Sequence, residues 1–184
     1  MAKKLEEMTL AELWRLFPIN LVAHNPQWPC WYAEKKDELK ELFRSYSVDV
    51  YRIEHIGSTA VPDIFAKPII DILIEFDSSR EMQKAKTVLV SAGYRCMSEK
   101  ENRISLNDGY TEQGFAERVF HLHLRLRGDC DEIAFRDYLR SHSDVAAEYE
   151  RLKQDLAERY QFDRDAYTEA KTLFVRKYTC LAKV

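Results

Sequence analysis

The chain has 184 residues, 46% hydrophobic and 32% charged, a balance that suits one globular domain with a buried core. Its net charge of -3 argues against a dedicated duplex-DNA binder, which would carry a basic excess, and no run approaches the ~18 apolar residues of a membrane span. The four cysteines, Cys30, Cys96, Cys130 and Cys180, form no C-x-x-C pair, and MAKKLEEMTLAELW is no apolar leader, so the expected setting is a reducing cytoplasm.

In chain order, Thr9 precedes LAELWRLF, whose Leu10, Leu13, Leu16 and Phe17 recur at helical spacing and predict a short helix. Pro29 opens an amphipathic stretch from Cys30 to Phe43. Val48 to Ile56 and Ile69 to Phe76 predict two strands, and Ser78-x-x-Glu81 starts a helix that Gly93 ends. Weaker strand patterns follow at Tyr94 to Met97 and Arg103 to Leu106. The two glycines of NDGYTEQGFAE, residues 107 to 117, predict a turn or mobile loop. FHLHLRLR, from Phe120, alternates without a fault and is the clearest strand. Helical texture then covers roughly 131 to 141, 144 to 160 and 164 to 180, with Asp144 and Asp163 as caps. The expected architecture is α+β: one domain over 1–184, with a mixed core over 1–130 and a helical part over 131–184.

The segment HIGSTAVPDIFAKPIIDILIEF, residues 55 to 76, carries the first chemical signal. Gly57 allows a positive φ and close backbone approach, while Ser58 and Thr59 place hydroxyls beside backbone N–H groups, a cluster able to cradle phosphate oxygens or to form an ordinary turn. In the following strand Asp71 shares a face with Leu73 and Glu75. An aspartate in so apolar a run needs a partner: Lys67, the N–H groups of the turn, or a metal ion. Lys67 also stands where a point charge can reach a phosphate.

In the HLHLR strand, His121, His123, Arg125 and Arg127 share the polar face. The two histidines stand about 6.6 Å apart along the chain and can converge on one ion or one phosphate, or simply form a solvated face. An arginine fork such as that of Arg125 suits phosphate. A histidine-triad hydrolase would need a third histidine where Arg125 stands. Trp14, Trp28 and Trp31 read as core residues, and Arg136, Tyr138, Arg140 and Lys171 as surface or pocket-wall residues.

Ile56-Gly57-Ser58, twelve residues and then Asp71-Ile72-Leu73-Ile74 resemble the fingerprint of the polymerase-beta-type nucleotidyltransferase superfamily. More closely, HIGSTAVP and AKPIIDI, with NPQWP, HLHLR, FRDYLRSH, YERLK and YTEAKTLF, are similar to the GrpB family within that superfamily. The resemblance implies a nucleotidyltransferase-like mixed sheet. It also implies a triphosphate on the turn at Gly57 and Ser58, and a divalent cation on Asp71 with carboxylates from two other positions. The second of these is Leu73 here. Glu75, about 13 Å along the strand from Asp71, is too far to replace it.

If His121 or His123 fills the third position, the metal and catalytic residues are Asp71, His121 and His123, a set that suits Zn²⁺, Mn²⁺ or Ni²⁺ better than Mg²⁺. Gly57, Ser58, Thr59, Lys67 and Arg125 are the expected phosphate or nucleotide contacts. The implied function is metal-dependent nucleotidyl transfer to an unknown acceptor. Its alternatives are a nucleotide- or phosphometabolite-binding module without catalysis and a His/Asp metal phosphoesterase.

Overall fold

In the computed structural model, which describes residues 3–183, most local sequence signals produce a definite element, although Asp144, expected as a cap, lies inside its helix, which starts after His142. The Thr9 hydroxyl accepts the Glu12 N–H and the Glu12 carboxylate accepts the Thr9 N–H, a reciprocal cap that opens α1, Leu10–Leu16. Pro29, lacking the N–H that a first helical turn leaves unused, sits at the start of α2, Trp28–Ser45. Strand β1, Arg52–Ile56, begins later than predicted, after a turn in which Ser47 takes φ 52°. Then come β2, Ile70–Phe76, and α3, Ser79–Ser91, whose capping Ser78 hydroxyl accepts the Glu81 N–H.

β3 spans Arg95–Lys100, β4 Arg103–Thr111 and β5 Gly114–Leu126. The segment 107–117, expected as a turn or mobile loop, is the closed end of a long β4–β5 hairpin, with the turn itself at 112–113 and strand on either side. Its glycines are structural: Gly114 takes φ 108°, and Gly109 takes φ 91° at a register shift where a Cβ would lie 2.5 Å from the Arg118 carbonyl oxygen. Aromatic packing of Phe17 on Tyr110 and Phe115, at 4.6 and 5.0 Å between ring centres, anchors the hairpin to the end of α1.

The C-terminal part is helical as predicted: α4, Asp131–Ser141; α5, Ser143–Arg159; α6, Arg164–Ala170; and α7, Thr172–Leu181. The last predicted helix is divided in two at Lys171. No helix of the described residues is long and apolar enough to cross a membrane.

The strands form one mixed sheet in the order β1-β2-β5-β4-β3, in which only β2 and β5 pair in parallel. Alternation decides its two faces. Ile70, Ile72, Ile74 and Phe76 of β2, with Leu122 and Leu124 of β5, pack on Leu39 and Phe43 of α2 and on Met82 and Leu89 of α3. Each such burial stabilises the fold by roughly 1.5–3 kcal/mol. The opposite face carries Asp71, His121 and His123. It lies beneath α4 to α7 on the β1 side and beneath α1 on the β3 side, which leaves a cleft between the two covers.

Candidate active site

The parallel register sets Asp71 opposite His121 and Leu73 opposite His123, so three polar side chains meet on one face. Asp71 Oδ1 lies 3.3 Å from His121 Nδ1 and 3.1 Å from His123 Nε2. One ligand atom from each residue falls within 4.8 Å of the others. A tetrahedral cation about 2.0–2.1 Å from each ligand places ligand atoms about 3.4 Å apart, so the cluster fits such an ion without rebuilding the sheet.

Burial pushes the Asp71 carboxyl up, but hydrogen bonds from His121 and His123 outweigh it and hold the group well below the usual carboxylate range. Burial pushes His121 down against the pull of Asp71. On its far side, His121 Nε2 lies 2.9 Å from the Tyr110 hydroxyl, which accepts a 2.9 Å hydrogen bond from Arg164 Nη2. The hairpin and α6 thus fix the ring of His121, as outer partners commonly do for ligating histidines.

Gly57 explains the turn. It takes φ 71°, and a Cβ there would lie 2.5 Å from Asp71 Oδ2, so only glycine lets the turn rest on the carboxylate. A 3-10 turn over Ser58–Ala60 follows, its first internal bond running from the Ala60 N–H to the Gly57 carbonyl. Thr59, expected at the phosphate, directs its hydroxyl inward: it donates to the Ile69 carbonyl at 3.1 Å and lies 3.0 Å from His55 Nε2. Burial pushes His55 down to about 4, so its neutral ring serves the same brace.

Lys67 makes no ion pair with Asp71 among the described residues. Its Nζ lies 5.4 Å from the centre of the Tyr167 ring, and burial together with Arg164 pushes it down to about 8. Two further lysines join it across a cavity of roughly 660 Å³. Lys153, 2% exposed, donates to the Phe65 carbonyl and lies 4.9 Å from the Tyr149 ring centre. Lys171 lies 4.2 Å from the Tyr167 ring centre. Burial pushes both down to about 7; for Lys153 Glu150 opposes this and Lys67 adds to it, while for Lys171 Lys67 and Lys153 add to it against Asp71. Burial likewise pushes the Tyr149 phenol up to about 12 against the pull of Ser58. Three ammonium groups around one cavity, none in an ion pair among the described residues, favour an anion between them.

Arg125 corrects an expectation. It shares the face of the histidines but does not line this cavity; it is 5% exposed, and its guanidinium serves the Ile104 and Leu124 carbonyls and Glu132. Glu75 is equally committed, paired with Arg52 and accepting the Gly128 N–H. Leu73, in the place of the missing acid, is fully buried with Ile56 and Ile133.

Tyr149, Lys153, Arg164 and Tyr167 were not among the expected site residues, and Lys171 was expected at most in the wall. A signal was present: Tyr149-x-x-x-Lys153 and Tyr167-x-x-x-Lys171 repeat one spacing that puts an aromatic and a cation on one helical face.

A family model described as GrpB protein matches residues 18–180. The protein YqkA of Bacillus subtilis is 31% identical over 91% of the chain, which spans 49% of its length. The glutamate-rich protein GrpB of Alkalihalophilus pseudofirmus is 35% identical over 84% of the chain and 90% of its own length. A dephospho-CoA kinase of Mycolicibacterium paratuberculosis is 27% identical over 86% of the chain, which matches 44% of that protein. Among solved structures, GrpB from Enterococcus faecalis superposes with a TM-score of 0.74 at 28% identity, covering 89% of this chain and 96% of that one. The Cid1 poly(U) polymerase bound to MgATP superposes with a TM-score of 0.52 at 14% identity over 88% of this chain and 52% of its own, a likeness of fold.

Proposed function

The chain belongs to the GrpB family, and from that premise we propose that it is a metal-dependent nucleotidyltransferase that holds a nucleoside triphosphate in the lysine-lined cavity. The observation that carries this reading is the juxtaposition of Asp71, His121 and His123 with the Gly57 turn and the three lysines, all lining one cavity.

In this reading Asp71, ionised, and the two histidines hold a divalent cation, and the nitrogen-rich set favours Zn²⁺ or Mn²⁺ over Mg²⁺. When bound, that cation supplies Lewis acidity toward a phosphoryl oxygen. Lys67, Lys153 and Lys171 balance the charge of the phosphate chain and of the departing pyrophosphate. The turn at Gly57 and Ser58 orients the phosphates, and Tyr110 holds the ring of His121.

The test is pyrophosphate release from each nucleoside triphosphate with Mn²⁺, Zn²⁺ or Mg²⁺ and a cell extract as the source of acceptor. Dephospho-CoA belongs in the binding panel because a relative bears that activity in its name. Release that depends on Asp71 supports the reading; equal release from Asp71→Asn overturns it.

A second reading, a binding module without transfer, draws on Leu73. That side chain is 0% exposed within the apolar cluster of Ile56 and Ile133, so the position two residues after Asp71 offers a cation no carboxylate. Tight triphosphate binding without turnover in the same assay would select it.

A further inference from the structure

The three lysines of the cavity are not equivalent. Lys153 is 2% exposed, and its Nζ is tied to the Phe65 carbonyl. Lys67, ahead of β2, and Lys171, at the break between α6 and α7, are half-buried and stand over one ring, with Nζ 5.4 and 4.2 Å from the centre of Tyr167. Neither amine makes a hydrogen bond or an ion pair among the described residues. The Gly57 turn and the hydroxyl-bearing Ser58 and Tyr149 line the same cavity.

The two amines have different surroundings. Burial and Arg164 lower Lys67 only to about 8, against the pull of Asp71, so it stays largely charged at pH 7. Lys171 is desolvated with both Lys67 and Lys153 acting on it, and at about 7 its amine is neutral in about half of the molecules at that pH. Loss of water and adjoining cations are the two conditions that make a lysine a nucleophile toward a carbonyl carbon. A nucleophilic amine and a standing cation over one ring suit a molecule that carries both a carbonyl and a phosphate.

We infer that Lys171 condenses with the carbonyl group of a phosphorylated aldehyde seated in this cavity, its phosphate held by Lys67 and the turn at Gly57. The inference rests on the reading of the cavity as an anion site and not on nucleotidyl transfer. The Lys171 nitrogen bonds to the carbonyl carbon as the C–O π bond opens. The carbonyl oxygen then leaves as water with the two amine protons, and the C=N bond closes; no oxidant or reductant takes part.

The probes are pyridoxal 5′-phosphate, pyridoxal, which lacks the phosphate, and pyridoxine 5′-phosphate, which lacks the aldehyde. With the full chain, pyridoxal 5′-phosphate should give the shifted visible absorbance of an imine at one equivalent. Borohydride reduction and peptide mass mapping should place it on Lys171. Pyridoxal should need at least about tenfold higher concentration, the scale of a lost hydrogen bond to a charged group. Pyridoxine 5′-phosphate should compete without giving the band. Lys171→Arg, which keeps the charge, should lose the band and still bind pyridoxine 5′-phosphate in calorimetry.

No imine band, label on Lys67 or spread over exposed lysines, equal response to pyridoxal and its phosphate, or an unchanged band in Lys171→Arg overturns the inference. Mapping on the parent protein decides even where that variant fails to fold. Pyrophosphate release from nucleoside triphosphates, measured on the same protein, reports on the transfer reading alone. Release without the imine sinks this inference; the imine without release sinks the transfer and leaves Lys171 standing.

Discussion

Replacing Lys153 by Met should stabilise the ligand-free protein and disable its anion pocket. Burial lowers the Lys153 ammonium from its ordinary 10.5 to about 7. At ~1.36 kcal/mol per pH unit, that difference corresponds to a cost of about 4 kcal/mol at pH 7 and under about 1 kcal/mol at pH 10. The folded form holds this proton less tightly than the unfolded chain does. Between about pH 7 and pH 10.5 the unfolded state therefore binds more protons, and stability rises with pH.

Methionine removes the cost but leaves the Phe65 carbonyl without its donor, a loss of about 1–3 kcal/mol. The net gain at pH 7 is therefore roughly 1–3 kcal/mol, or about 2–12 °C in Tm for a chain of this size. Thermal melts of both proteins from pH 6.5 to 10 provide the assay. The gap between variant and parent should shrink as the pH rises and reverse near pH 10, where the remaining cost of the ammonium falls below that of the lost hydrogen bond. Tripolyphosphate should raise the Tm of the parent much more than that of the variant. A gap that does not change with pH, or equal protection of both proteins by tripolyphosphate, would refute the account of Lys153 as a strained anion receptor.

Gly57→Ala should cost at least about 1–3 kcal/mol in urea unfolding, because the residue would have to hold φ 71° and clash with Asp71 Oδ2. Tyr110→Phe removes the group that holds the far nitrogen of His121, and Zn²⁺ or Mn²⁺ titration should show about 10- to 100-fold weaker binding with little change in Tm. Protein purified with Zn²⁺ or Mn²⁺ should carry one ion per chain by mass spectrometry. Chelation should lower its Tm and leave that of His123→Ala unmoved.

Much of this site was legible because it depends on strands. The period of two places Asp71, His121 and His123 on polar faces, and the apolar runs around them require those strands to lie inside a sheet. Their adjacency lay beyond that pattern, since nothing local says that residue 71 pairs beside residue 121. Arg125 shows the limit of the face argument: it shares the periodicity of the histidines, but the sheet carries it beyond the cavity and under Glu132. The hairpin at 107–117 read as a loop because its glycines are breakers by composition, whereas in place they are a bulge and a turn end.

The lysines were the hardest to see. On α5 Lys153 sits among Glu, Arg and Gln, and at the α6–α7 break Lys171 sits between Ala170 and Thr172, settings in which a lysine reads as solvated. Only tertiary packing turns them toward the turn at Gly57.

That packing also sets an order of events. The Phe65 carbonyl accepts its hydrogen bond from a lysine 88 residues later, and the His55 carbonyl is held by Arg136, 81 residues on. A nascent chain emerging from the ribosome can pair all five strands once residue 126 is out, and so can display the triad and the turn. Two of the three lysines, Lys153 and Lys171, arrive only with the final helices. If the cavity holds an anion as proposed, its full affinity is thus the last property acquired during synthesis, and a chain arrested near residue 130 would expose the carboxylate and both histidines with Lys67 alone of the three cavity lysines.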